Sequence, residues 1–225
     1  MRARAVWLIL RKDILIELRT REVLATMGLF ALLLVVVFAF AFSMDKTRAQ
    51  LVGPGIIWVT ILFSGTLGLY RLFDRERDHA AMAGLLLAPG GPIAVYLAKV
   101  LGLVVFITLT EIIVLPLMLA FMDISIPGEG IGLFALALVL GVVGFSVVAV
   151  LFGGMLANTR LREVLIPIVV YPVVVPVIVG GVKLTGVALG GGLPGEASSW
   201  LRLMLGFDVI YLALCPWVFS RVMVE

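Results

Sequence analysis

The sequence contains one cysteine, Cys215, and one histidine, His79. A lone thiol excludes an intrachain disulfide, a CxxC redox pair and a cysteine-built metal site. A lone imidazole excludes paired-histidine metal or haem ligation, and any triad that needs a second histidine. Charge is scarce too: Asp, Glu, Lys and Arg make up 14% of the 225 residues, against about 25% in an ordinary soluble domain. A net charge of +3 does not describe a strongly basic nucleic-acid binder. No GxxxxGK[ST] phosphate loop is present, so the chain does not hydrolyse ATP by itself and is not an enzyme alone. The formal G-x-G-x-x-G at Gly190, Gly192 and Gly195 follows no strand and opens no βαβ unit, so it is coincidental.

What the sequence has is apolar residues, 63% of the total, gathered into runs at 23–43, 53–73, 93–122, 131–157, 164–182 and 201–221. Each run meets or approaches the roughly 18 to 20 residues that cross about 30 Å of hydrocarbon as a helix. The expected fold is all-α: one transmembrane domain over 1–225 with six transmembrane helices. The apolar stretch that begins near Val23 has no small-residue cleavage site after it and reads as a retained first span.

Six spans put both termini on one side. Of the 17 basic residues, thirteen fall on that side, including Arg71, Arg75, Arg77, Lys99, Arg160, Arg162 and Arg221. Lys46, Arg48, Lys183 and Arg202 fall on the other. The positive-inside rule therefore expects cytoplasmic termini and cytoplasmic loops near 71–92 and 158–163.

Residues 1–22 read as an amphipathic interfacial helix, with Trp7, Leu10, Ile14 and Leu18 on one face and Arg4, Arg11 and Lys12 opposite; a charged lead-in to the first span is the alternative. Glu17 and Arg21, at i and i+4, add only tenths of a kcal/mol. Small residues recur at helical spacing at Ala137, Gly141, Ala149, Gly153 and Ala157, with Phe145 interrupting, and at Thr60, Ser64 and Gly68. Such stripes let helices approach closely. Pro167, Pro172 and Pro176 predict a broken or strongly kinked fifth span. The bend at Pro172 and Pro176 reads either as a gating element or as packing. The glycine-rich stretch 183–200 reads as a flexible periplasmic loop, anchored by Trp200.

Two acids fall within spans. Glu111 is deep, and suits a polar contact at a subunit interface, a gate or a cavity, or else a locally satisfied structural carboxyl. Asp208 lies near the outer end of the last span, where it is expected to reach headgroups or water.

The segment after the second span is densely charged through Arg71, Asp74, Arg75, Glu76, Arg77 and Asp78, then apolar through Leu85, Leu86 and Leu87, and ends at a proline-glycine turn. It reads as a short helix over 74–90 built to dock on a cytoplasmic motor. The alternative is a solvated loop whose charges only set topology.

The run Gly53-Pro54-Gly55-Ile56-Ile57-Trp58-Val59 is followed by Leu69-x-Arg71-Leu72-Phe73, Leu85 to Leu87, Pro89, Leu97-Ala98-Lys99-Val100 and Pro172-x-x-x-Pro176. These residues resemble CcmB, the haem exporter permease family of the cytochrome c maturation system, over most of the chain. The resemblance implies an ABC-2-type exporter permease architecture, with an N-terminal interfacial helix and a coupling helix over 74–90. It implies a bacterial inner-membrane protein that partners a CcmA-like ATPase subunit, a CcmC-like haem-handling subunit, a small CcmD-like companion and a CcmE-like periplasmic haem chaperone. Haem and ATP would be held by those partners and not by this chain, and a homodimer is expected by analogy. Where relatives carry acids, this sequence has Tyr70 and Ala83, so Asp74 to Asp78 carry the contact here. The rival readings are an ABC-2-type exporter subunit for another amphiphile, and a non-transporting scaffold of the haem-delivery complex.

Overall fold

The computed structural model describes residues 2–42, 46–78, 84, 90–191 and 194–223. Seven long helices follow in order: α1 (Arg2–Thr20), α2 (Glu22–Phe42), α3 (Lys46–Asp78), α4 (Gly91–Phe121), α5 (Ile131–Met155), α6 (Arg162–Ala188) and α7 (Pro194–Val222), with one 3-10 turn at Gly128–Gly130. There is no strand among the described residues. Helices α2 to α7 are each long and apolar enough to cross a membrane, as a chain with no water to satisfy its backbone in hydrocarbon requires.

Helix α5 is the axis of the bundle. It packs on α3, α4, α6 and α7, and its small-residue stripe is buried from Ala137 through Ala149 to Ala157. Bulky side chains of the neighbours sit where glycine leaves room. A Cβ at Gly65 would lie 2.6 Å from the Phe145 ring, and one at Gly153 would lie 2.8 Å from Leu69. Trp58 of α3 is the largest such knob, fully buried. It is clasped between Gly141 of α5 and Gly181 of α6, and its Nε1 donates to Thr185 Oγ1 at 3.0 Å. Across the core, the Tyr96 hydroxyl donates to the Val147 carbonyl at 2.7 Å. The outermost span, α2, leans on α3 and α4 along Val23, Met27, Ala31, Val35 and Ala39.

The boundaries depart from expectation in three places. The stretch 183–200 is mostly helical: α6 runs on to Ala188 and α7 starts at Pro194. At Gly190, just beyond α6, φ is 82°, a conformation glycine adopts freely, while a Cβ at Gly186 or Gly195 would meet nothing within 4 Å. The break expected at the prolines is absent, since Pro167, Pro172 and Pro176 all lie inside one helix. Each removes a single backbone bond, and the opposite face, through Ile166, Val170, Val174 and Val177, stays buried. Third, residues 74–78 are the last turn of α3 and not the start of a separate helix.

Helix α1 lies against α4. Ile9, Leu10, Asp13 and Glu17 are buried, while Trp7, Leu8, Leu15 and Leu18 are exposed. The chain turns from α1 into α2 at Arg21, whose φ is 57°. The Glu17 carboxylate spans that turn, accepting from Val23 N at 3.2 Å and Leu24 N at 2.9 Å. Glu17 thus caps α2, placing a negative charge at its N-terminus, and is not an i, i+4 partner of Arg21. Glu17→Ala is expected to lower stability by about 1 kcal/mol, read as a lower melting temperature of the purified chain in detergent.

Candidate functional site at the basic end of the bundle

Four helices meet at the end of the bundle where the charged segment emerges. The first fastening is Lys99, two turns into α4 and only 1% exposed. Its ammonium donates to Asp13 Oδ2 of α1 at 3.0 Å and to the Leu72 carbonyl of α3 at 3.1 Å, and it lies 5.7 Å from the centre of the Phe73 ring. Asp13 Oδ1 faces Lys12 at 3.0 Å, so each oxygen of that buried carboxylate meets a cation. A buried charge is tolerated only when paired and hydrogen-bonded, and here one lysine binds three helices.

The second fastening joins α3 to α6. Asp74 Oδ1 accepts from Arg162 Nη2, and Arg71 Nη1 stands 3.9 Å from the other oxygen. One turn earlier, the Tyr70 hydroxyl donates to the Glu163 carbonyl at 2.8 Å. Arg162 is buried in the first turn of α6, where a cation opposes the helix dipole and so depends on its carboxylate partner. Tyr70, where an acid was expected in relatives, serves as a donor to the backbone of α6.

These contacts tie the exit of α3 to α1, α4 and α6. Of the residues singled out from sequence, Arg71 and Asp74 sit in this collar, with Arg71 half exposed. The backbone of Arg75, Glu76, Arg77 and Asp78 completes α3, while their side chains, and the whole of Leu85, Leu86 and Leu87, lie outside the described residues. Glu111 is on the same helix as Lys99 but twelve residues further on, about 18 Å along the axis. Pro172 and Pro176 are exposed on α6, and neither lines the cavities beside Glu111. The collar and the intramembrane residues are thus separate features.

Asp208 does not reach the surface. It is 4% exposed, Oδ1 packs where a Cβ on Gly144 would stand, and neither oxygen has a hydrogen-bond partner among the described residues. Asp13, Glu17, Lys99 and Arg162 were missed as working residues. The available signals were two acids at i, i+4 on a basic helix, and a lysine enclosed by Leu97, Ala98 and Val100.

Fold and collar together define an integral, multi-pass α-helical membrane protein of permease type. The chain belongs to the CcmB protein family, whose model matches residues 4–224. It is 31% identical to Heme exporter protein B of Escherichia coli (strain K12) over 96 residues, 43% of this chain and 44% of the relative. It is 25% identical to Heme exporter protein B of Pseudomonas aeruginosa over 172 residues, 72% of this chain and 76% of the relative. The matched region thus spans less than half the length of the Escherichia coli relative.

Proposed function

We propose that this chain is the membrane-spanning subunit of an ATP-driven haem exporter complex of cytochrome c maturation. In this reading it lies in the bacterial inner membrane with both termini cytoplasmic, and it couples ATP hydrolysis on a separate CcmA-like chain to haem delivery on the periplasmic side. The names of its relatives support the cargo. The excess of Lys and Arg on the collar side supports the orientation. The partners would include CcmC-like, CcmD-like and CcmE-like chains. Haem would be held by those partners, since a single histidine offers no axial pair.

The observation that carries the coupling role is the collar itself. A loop whose charges served only topology would not need its root tied to three other helices through one buried and one partly buried ion pair. Arg75, Glu76, Arg77 and Asp78 would meet the ATPase, and Leu85, Leu86 and Leu87 would seat the segment. The Asp74 and Arg162 pair would then pass the stroke to α6.

The test is charge reversal beyond the collar. Arg75→Glu with Arg77→Glu is expected to lower holocytochrome c by roughly tenfold or more, since like-charge juxtaposition at an interface costs several kcal/mol. Membrane insertion and ATP hydrolysis by the partner should persist. Normal holocytochrome levels in that variant would refute the coupling role.

A further inference from the structure

Between α4 and α5, on the outer face of the bundle, lies an apolar groove of about 450 Å³ lined by Ile112, Leu115, Pro116, Phe134 and Val139. Among the described residues, its polar lining side chains are Thr108 and Glu111. Glu111 is nine-tenths buried, and its Oε1 has no hydrogen-bond partner among the described residues. A buried acceptor left unpaired is costly, and within hydrocarbon no water offsets it.

Apart from Thr108, which opens on the same groove, the neighbouring hydroxyls of the bundle are already committed. On its inner side, Glu111 borders a nearly closed pocket with Thr60, Ser64 and Thr110. Each of those hydroxyls already donates to a carbonyl of its own helix: Thr60 to Ile56 at 2.8 Å, Ser64 to Ile61 at 3.4 Å and Thr110 to Phe106 at 2.9 Å. A second acceptor lies beside the carboxylate. Pro116 has no N–H to offer the Ile112 carbonyl four residues back, and both residues line the groove.

We infer that this groove seats a membrane-spanning helix of a different polypeptide, one that presents a hydroxyl, amide or cationic donor to Glu111. Depth argues for a helix over a lipid. Glu111 is ten residues from the end of α4, about 15 Å along the axis, where acyl tails carry no donor. A second copy of this chain docked symmetrically would bring two carboxyl groups to one axis, where like charges cannot both ionise, whereas a helix of another polypeptide brings a donor without that cost. The inference stands whether or not the collar couples to an ATPase.

The experiment places a photo-crosslinking residue at Val139, which is 60% exposed on the rim, and identifies the adduct from intact membranes by peptide mass spectrometry. The expected adduct is a membrane-spanning peptide of another protein, with a side-chain donor within one helical turn of the joined residue. Glu111→Leu should lower its yield by about 3- to 30-fold, the range of a single interhelical hydrogen bond. Glu111→Gln, which keeps a polar amide there, should retain most of it. Adducts with lipid only, adducts with a second copy, or an undiminished yield from a normally inserted Glu111→Leu chain would each overturn the inference. The identity of the wild-type adduct decides the matter even if the variants fail to fold.

Discussion

Asp13→Ala is expected to destabilise the chain by about 3–5 kcal/mol, the cost of removing one partner from a buried ion pair. Lys99 would keep its charge in a site that is 1% exposed, having lost its carboxylate and keeping the Leu72 carbonyl at 3.1 Å. Helix α1 should detach from α4, so that limited proteolysis cuts within 2–20 while the spans stay intact. The compensating change is informative. Asp13→Leu combined with Lys99→Met fills the same space with apolar atoms, and should recover most of the loss, because the desolvation penalty disappears together with the attraction. Thermal unfolding of the purified chain in detergent measures both variants. A wild-type melting temperature for Asp13→Ala would mean that α1 is not held by this pair.

The second large effect is expected at Trp58. Its ring is wedged so closely that a Cβ added at Gly141 would stand 2.0 Å from Cη2, and one at Gly181 would stand 2.2 Å from Cζ2. The indole is also pinned through Nε1 to Thr185, so it cannot swing aside without losing that bond. Gly181→Ala is therefore expected to cost about 3 kcal/mol, at the upper end for overpacking. Trp58→Ala is expected to cost about 3–5 kcal/mol through the cavity it leaves. Because the two changes relieve each other, the double variant should be markedly more stable than the sum of the single effects predicts. Simple additivity in the same unfolding assay would show that the clasp does not exist.

The sequence made the architecture legible where hydrophobicity acts alone. Runs too long and too apolar for a soluble core become α2 to α7, the stripe at Ala137 to Ala157 becomes a buried face of α5, and the stripe at Thr60 to Gly68 faces α2 and α4. Legibility failed wherever a polar residue was buried by a partner distant in the chain. Asp13 and Lys99 are 86 residues apart, and Asp74 and Arg162 are 88 apart. Counting charges for topology treats such residues as solvated, which Lys99 and Arg162 are not. Asp13 and Glu17 of α1 likewise look like solvent positions until their partners on α4 and α2 are known. The stretch 183–200 was misread because a glycine-rich composition signals a loop, whereas Gly186 and Gly195 lie inside helices, where a glycine costs only about 1 kcal/mol. The charged segment beyond Arg71 was recognisable from its pattern, but the collar that gives it leverage was not.

The central claim is that an ATP-hydrolysing chain acts on the segment beyond α3 and that the collar carries its stroke into the bundle. The most direct measurement tags the C-terminus, solubilises native membranes gently and identifies by mass spectrometry what co-purifies. The account predicts a soluble ATPase with a phosphate-binding loop together with a haem-binding membrane protein. Recovery of the chain in several mild detergents with no ATPase in any of them would contradict it.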